Sequence, residues 1–195
     1  MHRTIRHILN CMIGLLIIST LDNGYLYPML SHIVQKKIGK LENKDFSHKN
    51  IIAVLNSLGF VKFADLIEKA KLTNYFIDAQ DITLFVPTNE AIAKFLSMLS
   101  HEDKKVFKKH LPQLIKFHMI HTAHEIENLQ KKPMRDIYTP EIKLLMKGGA
   151  FYIAPTKDPQ QFTHITITDI KTKNGIIQII DNILIPPEIP IKKPY

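Results

Sequence analysis

The sequence predicts a single α+β domain, with helices in its first half and a β-sheet formed mostly by its second half. Between Asn50 and Leu114, apolar residues recur at the three- and four-residue spacing of amphipathic helices. After Lys131 this period fades, and Phe162–Ile167 alternates as a half-buried strand does. A long apolar run, Ile176–Ile185, is the predicted closing strand, and the two prolines at 186 and 187 end it. The 195 residues suffice for one domain with a sizeable core and extensions.

The chain begins with a segment that is typical of exported proteins. Residues 1–21 combine a basic start with the apolar run Ile8–Ile18, which is short for a membrane span. Two interpretations stay open, a cleaved signal peptide and an uncleaved anchor, and both place the domain outside the cytoplasm. Residues 22–47 are mixed and polar and are interpreted as a spacer, and residues 188–195 as a C-terminal tail.

Two helices are predicted next. Ser47 is the candidate N-cap of the first, and Gly59 ends it. Its apolar face is Ile51, Val54, Leu55 and Leu58. The second helix carries the apolar stripe Phe60, Phe63, Leu66, Ile67 and Ala70. We expect both stripes to pack into the core.

The stretch from Thr83 to Ala91 combines a strand, a break and a helix start. Thr83–Val86 is a β-branched and aromatic run that predicts a buried strand, and Pro87 ends it. Thr88 can cap the following helix, whose first turn carries Glu90. Another helix is predicted after Ser100, with Asp103 completing a capping box.

The second half contains shorter strand signals. Met134–Tyr138, Ile142–Met146 and Phe151–Ala154 are candidate strands. The segment Thr172-Lys173-Asn174-Gly175 precedes the closing strand and predicts a tight turn, because Asn-Gly readily adopts positive φ.

Three segments of this chain resemble the signatures of fasciclin-like domains. The first is Thr-Leu-Phe-Val-Pro-Thr-Asn-Glu-Ala from Thr83, and the second, from Asn174, is Asn-Gly-Ile-Ile-Gln-Ile-Ile-Asp-Asn-Ile-Leu-Ile-Pro-Pro. Between them, Phe117-His118 resembles the family's Tyr-His element, with phenylalanine at the usual tyrosine. The residues that carry the resemblance are Thr83, Phe85, Pro87, Thr88, Asn89, Glu90, Ala91, His118, Asn174, Gly175, Ile180, Asp181, Leu184 and Pro186.

The resemblance implies a fasciclin-like domain over residues 48–187, in which helices pack against a β-sheet wedge. It implies a buried, hydrogen-bonded position for His118 beside the sheet. Members of such a family are typically secreted or attached to surfaces and act in adhesion. The family motif also favours a structural role for Asp181, which accepts hydrogen bonds there, over a role as a ligand or catalytic acid.

Composition excludes several functional classes. The formal net charge is +8, but the lysines form separate pairs without interleaved aromatic residues, so nucleic-acid binding is not expected. These pairs are Lys104-Lys105, Lys108-Lys109, Lys131-Lys132 and Lys192-Lys193. The single cysteine, Cys11, lies in the leader, so neither a disulfide nor a cysteine-ligated metal is expected in the mature chain. Cys11 precedes the most apolar run, which disfavours lipidation.

The sequence contains no recognisable motif of an enzyme active site. Neither G-x-S-x-G, nor a glycine-rich phosphate loop, nor H-E-x-x-H occurs, so we expect no catalytic residues and no cofactor. His118, His121 and His124 stand three residues apart and form the one candidate metal set. We do not expect metal binding, because His118 matches a core position.

Three functions remain in competition. The leading one is a non-catalytic extracellular or cell-envelope adhesion module that binds a cell-surface or matrix protein or a glycan. The alternative is an envelope protein that binds a small ligand or metal in a crevice between helices and sheet. A third is electrostatic association of the paired lysines with acidic glycans or anionic lipid, which salt would abolish.

Overall fold

The α+β class predicted from the sequence is confirmed by the computed structural model, which describes residues 45–126, 142–147, 150–155 and 162–191. The helices are α1 (Ile51–Leu58), α2 (Val61–Lys69), α3 (Thr73–Asp78), α4 (Asn89–Met98) and α5 (His101–Lys116). The strands are β1 (Ile82–Pro87), β2 (Met119–Ile120), β3 (Ile142–Lys147), β4 (Ala150–Pro155), β5 (Thr163–Thr172) and β6 (Gly175–Ile180).

The chain divides into two units of unequal size. The larger comprises residues 46–145 and 151–195, and the other takes in Asp45, Met146, Lys147 and Ala150 of the described residues. The two hydrophobic clusters and the candidate site described below lie in the larger unit. Among the described residues, no helix is long and apolar enough to span a membrane.

The strands form one mixed sheet in the order β2-β1-β6-β5-β4-β3. The first and last strands of the described chain, β1 and β6, pair in parallel in the interior of the sheet, with Leu84 opposite Ile177 and Phe85 opposite Gln178. The pairs β1–β2, β4–β5 and β5–β6 are antiparallel. The two signature segments of the sequence are therefore hydrogen-bonded neighbours, although about ninety positions separate Thr83 from Ile176.

Both faces of the central strands are buried, because side chains alternate between two hydrophobic clusters. Leu84 and Ile177 belong to a large cluster that the helices cover. Phe85 and Ile180 belong to a second cluster, with Phe117 among its members. This two-sided burial explains why β1 and β6 are nearly continuous apolar runs in the sequence.

Helix starts agree with the sequence analysis at α4 and α5 but not at α1. The hydroxyl of Thr88 accepts a hydrogen bond from the amide of Ala91 at 3.1 Å. Ser100 accepts from the amide of Asp103 at 3.1 Å and donates to its carboxylate at 2.7 Å. The cap of α1 is Asn50 rather than Ser47, because the Asn50 side chain lies 2.9 Å from the amide of Ala53.

The closing strand is shorter than predicted. β6 ends at Ile180 instead of continuing to Ile185, so Asp181 follows the strand and does not lie within it. The strand β5 is longer than predicted, from Thr163 to Thr172, and shifts of register interrupt its pairing with β6. The candidate strand Met134–Tyr138 lies outside the described residues.

The hydrophobic core includes residues from the predicted spacer and tail. Phe46 is buried against the large cluster, as are Ile189 and Ile191 at the other end of the described chain. The short helix α3 was not predicted. Its buried residue is Phe76, which leaves too little pattern for a sequence-based assignment.

Candidate functional site

His118 lies at the centre of the candidate site, between the end of α5 and the start of β2. Its side chain is fully buried, and its ring lies 5.4 Å from the ring of Phe63. The Nδ1 atom is 2.8 Å from the carbonyl oxygen of Leu114, and the Nε2 atom is 3.1 Å from the amide nitrogen of Leu184. A carbonyl only accepts and an amide N–H only donates, so the proton is assigned to Nδ1 and Nε2 is the acceptor.

This arrangement keeps the imidazole neutral. Burial lowers the pKa of His118 from 6.5 to about 4, although the hydrogen bond to the Leu114 carbonyl raises it. Both nitrogens are occupied by the backbone, so His118 joins α5 to the segment that follows β6. The expectation of a buried and hydrogen-bonded histidine agrees with this geometry.

The candidate metal set of three histidines is not assembled around His118, because neither of its nitrogens has a lone pair available for a metal. The Nε2 atom of His121 lies 3.1 Å from the hydroxyl of Tyr75, and the ring is exposed. In the described part of the chain, no group of three His, Cys, Asp or Glu residues has the geometry to hold a metal ion.

Residues of the first signature segment tie neighbouring backbone together. The Thr83 hydroxyl donates to the carbonyl of Thr122 at 2.7 Å and accepts from the amide of His124 at 2.8 Å. The Asn89 side chain donates to the Gly59 carbonyl at 2.7 Å. Its Oδ1 accepts from the amide of Lys62 at 3.1 Å, so Asn89 fixes the junction of α1 and α2 to the start of α4.

The remaining residues of this segment have packing and capping positions. Phe85 is fully buried in the second cluster, and Pro87 is the last residue of β1. Glu90 is exposed in the first turn of α4, and Ala91 is buried.

The second signature segment begins with Asn174, which is buried and whose side-chain oxygen and nitrogen are both hydrogen-bonded. Its Oδ1 accepts from the amide of Ile51 at 2.9 Å. Its Nδ2 donates to the carbonyls of Phe76 and Ala79 at 2.8 and 2.9 Å. One side chain therefore connects the start of α1 with the end of α3.

Gly175 has a different role from the predicted one. The φ of Gly175 is not positive. Among the described glycines, only Gly59 has a positive φ, of 80°. A Cβ atom at position 175 would lie 2.1 Å from the carbonyl oxygen of Ile82. The glycine is required by the close approach of β6 to β1 and not by a turn conformation.

The end of this segment completes the sheet and its second cluster. Ile180 and Leu184 are buried there, and Pro186 accepts a hydrogen bond from the amide of Ile189. Asp181 Oδ1 accepts from the amide of His164 at 2.9 Å. Burial raises the pKa of Asp181, although the hydrogen bond and the nearby His164 ring lower it.

A second polar network was missed by the sequence analysis. Asp169 has positive φ at a register shift of β5, and its amide donates to Oε1 of Gln178. Its carboxylate accepts from Gln178 Nε2 at 2.8 Å and from the amide of Ile126 at 2.9 Å. Burial is the main cause that raises the pKa of Asp169. The one available signal was Gln178, a polar residue within an apolar strand.

A partly exposed cluster of three side chains lies where α3, the end of α5 and the segment after β2 meet. The Lys116 ammonium is 5.0 Å from the centre of the Tyr75 ring, and the Tyr75 hydroxyl contacts His121. The rings of Tyr75 and His121 meet edge to face at 6.3 Å. These three residues, here called the Tyr75 cluster, combine an aromatic surface with a cation and an imidazole. No sequence pattern joins them, because they come from α3, α5 and the segment after β2.

Comparison with known proteins identifies the family of this chain and several similar proteins. The family model of the fasciclin domain matches residues 58–186, more than half of the chain. Human periostin is 26% identical over 136 residues, which are 68% of this chain and 15% of periostin.

A solved FAS1 domain pair from the insect cell adhesion molecule fasciclin I has a TM-score of 0.58 at 17% identity. The match covers 70% of this chain and 51% of that one. At this identity the likeness concerns the fold. The chain spans well under two thirds of either relative's length.

Proposed function

Since the chain belongs to the fasciclin domain family, we propose that it is a non-catalytic binding module that acts in adhesion outside the cytoplasm. Its partner in this proposal is a protein or glycan of a cell surface or extracellular matrix. One relative is described as a cell adhesion molecule, which supports the proposal by analogy of fold and family.

The observation that carries the proposal is the structural use of the signature residues. His118, Asn174 and Asn89 direct their polar atoms to backbone groups of neighbouring elements. A general acid or base needs a proton-transferring atom that a substrate can contact. The polar groups of these residues instead stabilise the domain, which leaves partner contact to its outer surface.

The Tyr75 cluster is the part of that surface that we assign to partner contact. Tyrosine contributes a large, rigid, amphipathic surface to interfaces, and Lys116 and His121 add polar contacts beside it. The cluster borders β2, a two-residue strand at the edge of the sheet.

Binding of the full chain to immobilised cell surfaces and matrix tests this assignment. We expect the double variant His121→Ala/Lys116→Gln to lose at least about ten-fold in affinity, a size typical of hot-spot residues. A matched control, His48→Ala/Lys62→Gln, changes the same residue types at other surface positions and should stay within about two-fold. Equal losses in both variants would remove the Tyr75 cluster from the proposal. Failure of the unmodified chain to bind any cell or matrix preparation would contradict the adhesive function itself.

Export is the second part of the proposal, and residues 1–21 support it by composition. Fractionation of the source cells should recover the protein outside the cytoplasm. Sequencing of its N-terminus distinguishes a cleaved signal peptide from an uncleaved anchor. Recovery of the whole pool from the cytoplasm would contradict this part of the proposal without affecting the family assignment.

A further inference from the structure

Four exposed lysines occupy consecutive turns in the first half of α5. Lys104, Lys105, Lys108 and Lys109, here called the lysine quartet, lie within about 7.5 Å along the helix axis, at 1.5 Å per residue. Lys104 and Lys108 are one turn apart, as are Lys105 and Lys109, so each pair shares one side of the helix. The buried residues of α5 are Phe107, Leu111, Leu114 and Ile115, and the four lysines are exposed.

The quartet is unfavourable for the helix that carries it. Like charges at a spacing of four residues repel each other. Within the described chain, Lys105 forms the quartet's one ion pair, an exposed contact of 3.2 Å with Glu102. Lys69 and Lys171 each approach a carboxylate to 2.6 Å, so other lysines of the domain do have acidic partners. The concentration of unneutralised charge indicates a polyanionic partner.

The side chains around the lysine quartet indicate which class of polyanion it binds. A membrane-bound helix buries apolar side chains, and a protein interface usually contains apolar anchors. The exposed large hydrophobic residues of the described chain are Val61, Ile77, Met98, Met146 and Phe162, and none of them lies on α5. Single-stranded nucleic acids need aromatic side chains for base stacking, and the exposed face of α5 offers none.

We propose that the lysine quartet binds a linear sulfated glycan. Sulfate groups remain ionised at physiological pH, and a linear chain can lie along the helix and neutralise several lysines at once. Lys116 lies on the same side of α5 as Lys105 and Lys109 and extends this charged surface toward the Tyr75 cluster. The inference rests on the proposed adhesive function, because it names the class of one surface partner.

The test compares two variants of the full chain that lose the same net charge. The first replaces the quartet, Lys104→Gln/Lys105→Gln/Lys108→Gln/Lys109→Gln. The second replaces four exposed lysines elsewhere, Lys62→Gln/Lys71→Gln/Lys143→Gln/Lys173→Gln. Affinity for a heparin-type oligosaccharide is measured by calorimetry over a salt series, with the desulfated oligosaccharide, phosphatidylserine vesicles and duplex DNA as comparison ligands.

We expect the quartet variant to lose at least about ten-fold in affinity for the sulfated oligosaccharide and to show a shallower salt dependence, because fewer ions are released. The second variant should retain affinity within about three-fold, since exposed charges at other positions are screened. Thermal unfolding of the quartet variant should not occur at a lower temperature than that of the unmodified chain, because like-charge repulsion is removed. This measurement separates loss of binding from loss of folding.

Three outcomes would overturn the inference. Equal losses in the two variants would leave only an effect of net charge, and equal binding of the desulfated oligosaccharide would exclude sulfate recognition. Tighter binding of vesicles or DNA than of the glycan would assign the quartet to another polyanion. If the glycan does not bind but adhesion to cells persists, the inference fails while the proposed function stands.

Discussion

At the scale of single residues, Gly175 illustrates how one residue type can be required for two different reasons. The Asn-Gly pair predicted a tight turn with positive φ. The turn is present, because Lys173 and Asn174 connect β5 to β6, but neither these residues nor Gly175 have positive φ. Gly175 is required by a close backbone approach instead. A Cβ at this position would lie 2.1 Å from the Ile82 carbonyl oxygen. This oxygen belongs to the backbone of β1, so the clash cannot be relieved by rotation of a side chain.

Gly175→Ala should therefore destabilise the domain by about 1–3 kcal/mol, the usual range for overpacking. Urea denaturation measures the loss. Gly59→Ala is the matched control, because no atom lies within 4 Å of its added Cβ and its φ of +80° is the only source of strain. Its expected cost is about 1–2 kcal/mol. A Gly175→Ala variant as stable as the unmodified chain would contradict the close approach of β1 and β6.

His118 predicts a specific dependence of stability on pH. The pKa of His118 is about 4 in the folded domain, and its ordinary value, which applies to the unfolded chain, is 6.5. Between pH 4 and pH 6.5 the unfolded chain therefore binds a proton more readily than the folded domain does. Stability is unaffected by this group above pH 6.5 and falls as the pH decreases to 4. The expected loss from this group is about 3 kcal/mol.

The measurement is the free energy of unfolding from pH 7 to pH 4, for the unmodified chain and for His118→Gln. The variant should be less stable at pH 7, because buried hydrogen bonds are perturbed, but should lose less stability as the pH falls. Asp169 and Asp181 have raised pKa values and act in the opposite direction in both proteins, so they cancel in the difference. Parallel pH profiles for the two proteins would show that His118 is not the responsible group.

At the scale of elements, Asn174 determines how two helices join the sheet. Asn174→Ala removes three hydrogen bonds and leaves the amide of Ile51 and two carbonyls without their partner. We expect a loss of about 2–4 kcal/mol, since each buried polar group left unpaired costs about 1–3 kcal/mol. Hydrogen exchange at the Ile51 amide provides the local measurement.

Asn174→Asp is the informative comparison for this prediction. It keeps an acceptor for Ile51 but brings a carboxylate oxygen toward the carbonyls of Phe76 and Ala79. Its loss should be at least as large as that of the alanine variant. A near-neutral Asn174→Asp would mean that the two donated hydrogen bonds contribute little.

At the scale of the whole molecule, one sheet separates two hydrophobic clusters and belongs to both. The central strands β1 and β6 contribute alternate side chains to each cluster. Neither cluster can lose these strands without exposing the other. The described domain should therefore unfold as one cooperative unit.

Ile180→Ala tests this cooperativity from the second cluster, where Ile180 is fully buried. The substitution should cost about 2–5 kcal/mol, as large-to-small changes in a core do. Urea unfolding is followed by two signals: far-UV circular dichroism, which reports the helices, and the methyl signal of Ile165, which reports the second cluster. The midpoints of the two transitions should shift together. Val61→Ala, at a position 56% exposed, is the control and should leave both transitions near their original midpoint. Two separate transitions would mean that the clusters are independent.

The sequence by itself determined the features that depend on neighbouring residues. Helical periodicity predicted α1, α2, α4 and α5. The caps Thr88 and Ser100 were also predictable, because their hydroxyl groups accept hydrogen bonds from backbone amides only three residues away. The family was indicated because its signature residues are needed to build the fold. The predicted length of β6 was wrong, because the apolar run in the sequence continues past the end of the strand into a buried segment.

Only the tertiary structure decided how distant residues meet. The parallel pairing of β1 with β6, the reason for Gly175 and the tautomer of His118 all depend on contacts between residues far apart in the chain. The Tyr75 cluster and the network of Asp169 with Gln178 arise in the same way. Periodicity describes which face of an element is buried, but it carries no information about which element covers that face.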